Sequence, residues 1–221
     1  MKTVIGAVSV GVLLLGAGCS SAYYSTMEKF GFAKRDILVD RVDDTRKSQE
    51  KAKEQFADAL EHFVAVTKVD GGDLKKKYDA LNAEFKKSEA QAKDVRSRIA
   101  AVEDVSSALF KEWKQEITQY SNPSLRADSQ RQYDTTQRRY DTLITLMKRS
   151  ADRMDPVLAT FRDQVLYLKH NLNAQAIASL GGTQRTLEAD ISRLIADMEA
   201  SIKEADAFIR DLKAAPPATR G

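Results

Sequence analysis

One residue in this chain has both the chemical type and the setting for covalent chemistry, and it is the only cysteine. Cys19 follows Leu15-Gly16-Ala17-Gly18, and ahead of these lie a basic start, Met1-Lys2, and an apolar run from Thr3 to Leu15. A basic stretch, an apolar stretch and small residues before a cleavage point form a secretory signal. Small residues let a peptidase approach the backbone, and a thiol just beyond them can be alkylated. The pattern resembles the bacterial lipobox, whose cysteine receives a diacylglycerol and becomes the new N-terminus. The expectation is a signal peptide at 1–18, a lipid on Cys19 and a mature chain of 203 residues. The apolar run is shorter than the ~20 residues of a transmembrane helix and is interrupted by glycine. Lipobox cysteines usually carry three acyl chains, and each buried CH₂ contributes about 0.8 kcal/mol, so such an anchor would be effectively permanent. Ser20, rather than Asp, follows the cysteine, which favours the outer membrane facing the periplasm over inner-membrane retention.

Other chemistries lack their residues. A single cysteine excludes a disulfide framework and a multi-cysteine metal site. None of the ten glycines precedes a lysine, so there is no phosphate-binding loop. His62 and His170 are the only histidines and stand alone, with no His-Glu-x-x-His or Gly-x-Ser-x-Gly motif. The expectation is a protein that is not an enzyme and has no metal and no cofactor beyond the covalent lipid. Thirty-five basic and 32 acidic residues give a formal charge of +3, interspersed along the chain, which does not point to nucleic acid.

The remaining sequence reads as all-α, an elongated antiparallel coiled coil or helical bundle of three to four long helices. Three places after residue 32 combine glycine or proline with capping residues: Asp70-Gly71-Gly72-Asp73, Ser121-Asn122-Pro123-Ser124 and Gly181-Gly182-Thr183. They predict helices at about 33–68, 73–120, 124–180 and 183–213, with a juxtamembrane segment at 19–32 and a flexible tail at 214–221. Pro156 is expected to kink the third helix rather than end it. In the second helix, steps of four and three from Leu74 to Tyr120 select fourteen positions, eleven of them apolar or aromatic, where a 43% composition gives about six. The first helix repeats the stripe from Leu38 through Gln49 and Phe56 to Val66. The last carries Leu187, Ile191, Leu194, Met198, Ile202, Ala205, Ile209 and Leu212. The third, read through Leu143, Leu146, Met154, Val157, Phe161, Val165, Leu168, Leu172 and Ala176, contains four-four steps that loosen supercoiling. Thr45, Gln49, Ser88, Ser106 and Glu116 fall on the stripes, where polar residues can set register.

Short connections make neighbours antiparallel. The base would hold Phe110, Trp113 and Tyr120 level with Tyr23, Tyr24, Phe30 and Phe32, as a core layer or an interfacial belt. The far tip would hold Lys169, His170, Asn171 and Asn173, read as lying inside the third helix. Helix interiors disfavour asparagine, so these residues either fix register or form a partner-binding patch. The polar stretch Arg126–Asp141, with Arg131, Arg138 and Arg139 around Tyr133 and Tyr140, is a second candidate face.

Three runs carry a resemblance: Glu28-Lys29-Phe30-Gly31 with Lys34-Arg35-Asp36-Ile37-Leu38-Val39-Asp40-Arg41-Val42, then Leu109-Phe110-Lys111-Glu112-Trp113, then Leu168-Lys169-His170-Asn171-Leu172-Asn173-Ala174. With these the chain resembles the proteobacterial family named domain of unknown function 2959, whose members often bear a lipoprotein signal. The resemblance implies a helical exported protein and supplies no functional residues. The functional expectation is a non-enzymatic envelope lipoprotein, a periplasmic spacer or protein adaptor held at the membrane by its lipid, with an envelope protein or itself as partner. The alternative is a bundle that binds a lipid or small ligand between helices where the third stripe is irregular.

Overall fold

The structure, a computed structural model, describes residues 34–68, 73–171 and 174–214. Cys19, the signal peptide and the aromatic residues Tyr23 to Phe32 fall outside them. The described residues belong to one compact unit that begins at Lys34. They form four α-helices, with no strand among them: α1 (Lys34–Lys68), α2 (Leu74–Ile117), α3 (Pro123–His170) and α4 (Ala174–Ala214). At 1.5 Å per residue these are roughly 52, 66, 72 and 62 Å long. Each helix packs on the next and α4 returns to α1, which closes a four-helix bundle.

Local sequence explains the ends. Asp73 has extended dihedrals (φ −71°, ψ 96°) and accepts the Lys76 N–H, capping α2. Asn122 caps α3 by accepting from Ser124 and Leu125 at 2.9 and 3.3 Å, and Pro123 occupies the first turn, where its missing N–H matters least. The Arg126 guanidinium closes this turn by donating to the Tyr120 carbonyl at 2.6 Å.

The third expected turn is a correction. Gly181-Gly182-Thr183 lies inside α4, and the break between α3 and α4 comes about ten residues earlier, at 171–173. Asn171 is the C-cap of α3, with φ −129° and its N–H on the Leu168 carbonyl at 3.2 Å. Asparagine competes for backbone hydrogen bonds and so favours helix ends. The glycine pair lowers helix propensity, but the packed faces on either side of it, at Leu180 and Leu187, hold the helix together. Pro156 sits within α3, which runs through it as one helix. In the preceding turn Arg96 of α2 donates to the Ala151 carbonyl at 3.3 Å and to Asp155 at 2.6 Å.

The core follows the heptads more closely than expected. The α1 stripe is buried at every expected position from Leu38 to Val66. In α3 the stripe runs through Leu143, Met147, Ser150, Met154, Val157, Phe161, Val165 and Leu168, with Met147 and Ser150 in place of Leu146. In α4 it runs through Met198, Ser201, Ala205, Phe208 and Leu212, so Ser201 and Phe208 replace Ile202 and Ile209. Toward its end α2 buries Phe110 and Ile117, while Leu109, Trp113 and Tyr120 are only half-buried and Glu116 is exposed.

One polar layer crosses the core. Gln49 Nε2 donates to Ser150 Oγ at 2.7 Å, Ser201 Oγ donates to Gln49 Oε1 at 3.0 Å, and Ser150 donates on to the Met147 carbonyl. Of the polar stripe residues expected to set register, Gln49 does so by joining three helices. Thr45 and Ser88 instead bond back to carbonyls of their own helices.

Candidate functional site at the bundle tip

Antiparallel packing fixes which residues share an end. Phe63 of α1 meets Phe161 of α3 with ring centroids 5.6 Å apart, and Thr67 of α1 donates to Gln184 of α4 at 3.2 Å. The end of α1, the start of α2, the end of α3 and the early part of α4 are therefore together, and this is the tip. At the opposite end, Lys34 pairs with Glu112 at 2.9 Å, and Arg139 of α3 pairs with Asp211 of α4.

Lys169 and His170 are exposed in the last turn of α3, where the helix dipole favours cations. Asn171 is half-buried; its side-chain amide donates to the Tyr167 carbonyl at 2.9 Å. It is a cap, so the reading of Asn171 as a helix-interior residue does not hold; Asn173 falls outside the described residues. Two features of the tip were missed in the sequence. Leu166 and Tyr167 are 50% and 45% exposed although both are large and apolar. Their signal was present, because they fall between the stripe positions Val165 and Leu168. The other is that α2 opens with Lys75-Lys76-Lys77 and no acidic residue in its first turn.

The Arg126–Asp141 stretch resolves into a packed inner side and a paired outer side. Tyr133 meets Phe110 and Trp113 edge-on at 5.7 Å each, and Tyr140 lies 5.4 Å from Phe110. Trp113 Nε1 donates to Ser129 at 2.9 Å. Burial pushes the Tyr140 phenol above its usual value, against the opposing effect of its hydrogen bond with Ser106. Arg131 pairs with Asp128 and Gln130 bonds to Asp134. Phe110 and Trp113 are thus packed against α3. An open groove of about 540 Å³ lies on this α2–α3 face, lined by Phe110, Lys111 and Lys114 of α2 and by Tyr133 and Tyr140 of α3.

His62 and His170 are both exposed and on different helices. Among the described residues no three His, Cys, Asp or Glu side chains form a group that could hold a metal ion, and no helix is long and apolar enough to cross a membrane.

A protein-family model described as "Protein of unknown function (DUF2959)" matches residues 23–212. No curated protein matches the chain.

Proposed function

The chain belongs to the DUF2959 family, and we propose that it is a non-enzymatic envelope lipoprotein, a helical spacer or adaptor anchored through a lipid on Cys19. The anchor reading rests on the Leu15-Gly16-Ala17-Gly18-Cys19 sequence, with export to the outer membrane facing the periplasm as the favoured destination. The observation that carries the spacer reading is the bundle itself. Its helices run roughly 50–70 Å between two ends, and its polar core groups are spent on one another rather than aimed at a ligand. Only 14 residues lie between Cys19 and Lys34, at the end of the bundle opposite the tip.

In this role the tip presents Lys169, His170 and their neighbours to an envelope component while the lipid holds the other end. Photo-crosslinking in cells tests the arrangement. His170 is the position to replace, because it is exposed and leaves the Asn171 cap intact. A reproducible adduct from position 170, absent from the mid-bundle position Arg149, supports an adaptor. Equal adducts from both positions would sink it.

The second reading, a lipid- or small-ligand-binding bundle, draws support from the α2–α3 groove. The third stripe keeps one of its irregular steps, the two successive four-residue spacings from Val157 through Phe161 to Val165. Thermal shift with envelope lipids, abolished by Tyr133→Ala, would favour it.

A further inference from the structure

The α2–α3 groove carries charge that the packing of the bundle does not consume. Its α2 wall runs from Glu103 to Lys114, about 16 Å along the helix axis. The ring contacts order it from end to end. Tyr133 packs on Trp113 and Phe110 at one end; at the other, Tyr140 packs on Phe110 and hydrogen-bonds with Ser106. Lys111 and Lys114 belong to the Tyr133 end, and Glu103 to the Tyr140 end, where Lys148 neutralises it. Lys111 and Lys114 are exposed, and neither has a carboxylate partner among the described residues. Lys114 suits the last turn of α2, where the helix dipole favours a cation, but Lys111 sets a like charge one turn before it. Asp134 follows Tyr133 in sequence, yet it does not line the groove and accepts from Gln130 at 2.8 Å. Asp104 and Asp141 follow Glu103 and Tyr140, at the far end.

Size and charge pattern select the occupant. A stable protein interface covers roughly 800 Å² per partner, more than a 16 Å groove between two helices supplies. A volume of about 540 Å³ lies in the small-molecule range of roughly 300–1,000 Å³. Aromatic rings with two ammonium groups at one end and carboxylates at the other fit a molecule with one anionic head and an uncharged apolar body. A second anionic group on that body would meet Asp104 and Asp141. A phosphate monoester carries about −1.5 to −2 at neutral pH, a charge that two lysines balance. We propose that the groove binds an apolar phosphate monoester, with its phosphate held by Lys111 and Lys114 and its body lying on Phe110, Tyr133 and Tyr140. The proposal rests on the ligand-binding reading of this groove and is independent of the lipid on Cys19.

The test uses unlipidated chain 20–221, which contains the whole compact unit. Its readout is the emission of Trp113, the only tryptophan, whose ring packs on Tyr133 of the groove. Decyl phosphate below its micelle concentration, in about 50 mM salt, should shift this emission saturably. It should bind at least about tenfold more tightly than decyl maltoside, and inorganic phosphate should give no shift. Lys111→Gln/Lys114→Gln should lose at least about tenfold for decyl phosphate and leave decyl maltoside unchanged, with helical circular dichroism retained. Ser107→Phe, which fills the groove from its α2 wall, should weaken both. Lys75→Gln/Lys76→Gln, at the other end of α2, should change nothing. Equal affinity for decyl phosphate and decyl maltoside would overturn the proposal and spare the ligand-binding reading. No saturable shift with either would sink both. An equal loss from the Lys75 and Lys76 variant would reduce the effect to general charge attraction and overturn the proposal as well.

Discussion

Gln49 of α1 donates its side-chain amide to Ser150 of α3 across 2.7 Å, at a level where neither side chain reaches solvent. Ser201 completes the layer from α4. A polar layer gives up apolar packing, but any sliding of one helix strands a buried amide, so it selects a single register.

Gln49→Ala should therefore cost about 2–4 kcal/mol, because it opens a cavity and removes the partner of Ser150 and Ser201. The apolar triple variant Gln49→Leu/Ser150→Ala/Ser201→Ala should be as stable as the native chain or more so, yet give multiple amide resonances or a lower urea m-value. A triple variant with native dispersion and native m-value would remove the register role.

Gly181 and Gly182 lie within α4, and a Cβ added at either meets no atom within 4 Å. Replacing an exposed helix glycine by alanine gains up to about 1 kcal/mol per site. Gly181→Ala/Gly182→Ala should raise the thermal midpoint by several degrees. A fall would mean that the glycines meet a structural requirement at the tip that the folded chain alone does not reveal.

Acid should destabilise the bundle in a defined window. The hydrogen bond from Arg98, and then that from Ser48, hold the Asp94 carboxyl below its usual 3.8; Lys47 does the same for Asp43. A lowered folded value means that the stabilisation is complete above the unfolded pKa and is lost as pH falls through the folded one. Urea midpoints should be flat from pH 8 to 6 and drop below about pH 4. Asp94→Asn should lower the midpoint at pH 6 and converge with the native chain near pH 2. An unchanged gap at pH 2 would show that the carboxylate's charge is not the cause.

Phe110 is 7% exposed and is the ring on which both Tyr133 and Tyr140 pack. Phe110→Ala should cost about 3–5 kcal/mol. Because Trp113 shares Tyr133 and is the only tryptophan, its emission should shift red before global loss of helicity. Simultaneous loss of both signals would mean that this end of the hairpin unfolds only with the rest.

The fold was legible where apolar stripes and caps agree. Asp73 and Asn122 announce their helices, and α1 is buried at each expected position. Legibility failed where a polar residue occupies a core position. Ser150 and Ser201 look like surface residues until Gln49 is seen between them, so the stripes in α3 and α4 were read one residue off. It failed again at 171–181, because a lone asparagine cap is a weaker signal than two glycines, while packing at Leu180 and Leu187 overrides glycine propensity. At the tip, the sequence placed Lys169 and His170 near the far end of the bundle, and both are exposed in the last turn of α3. Leu166 and Tyr167 required knowing which face of α3 points outward.

The most direct test of the account is intact mass spectrometry of the native protein purified from membranes. The account predicts a chain that starts at Cys19, carries an acylated N-terminal cysteine, and loses that mass shift in Cys19→Ser. A native chain that retains residues 1–18, or that starts at Cys19 with an unmodified thiol, would contradict it.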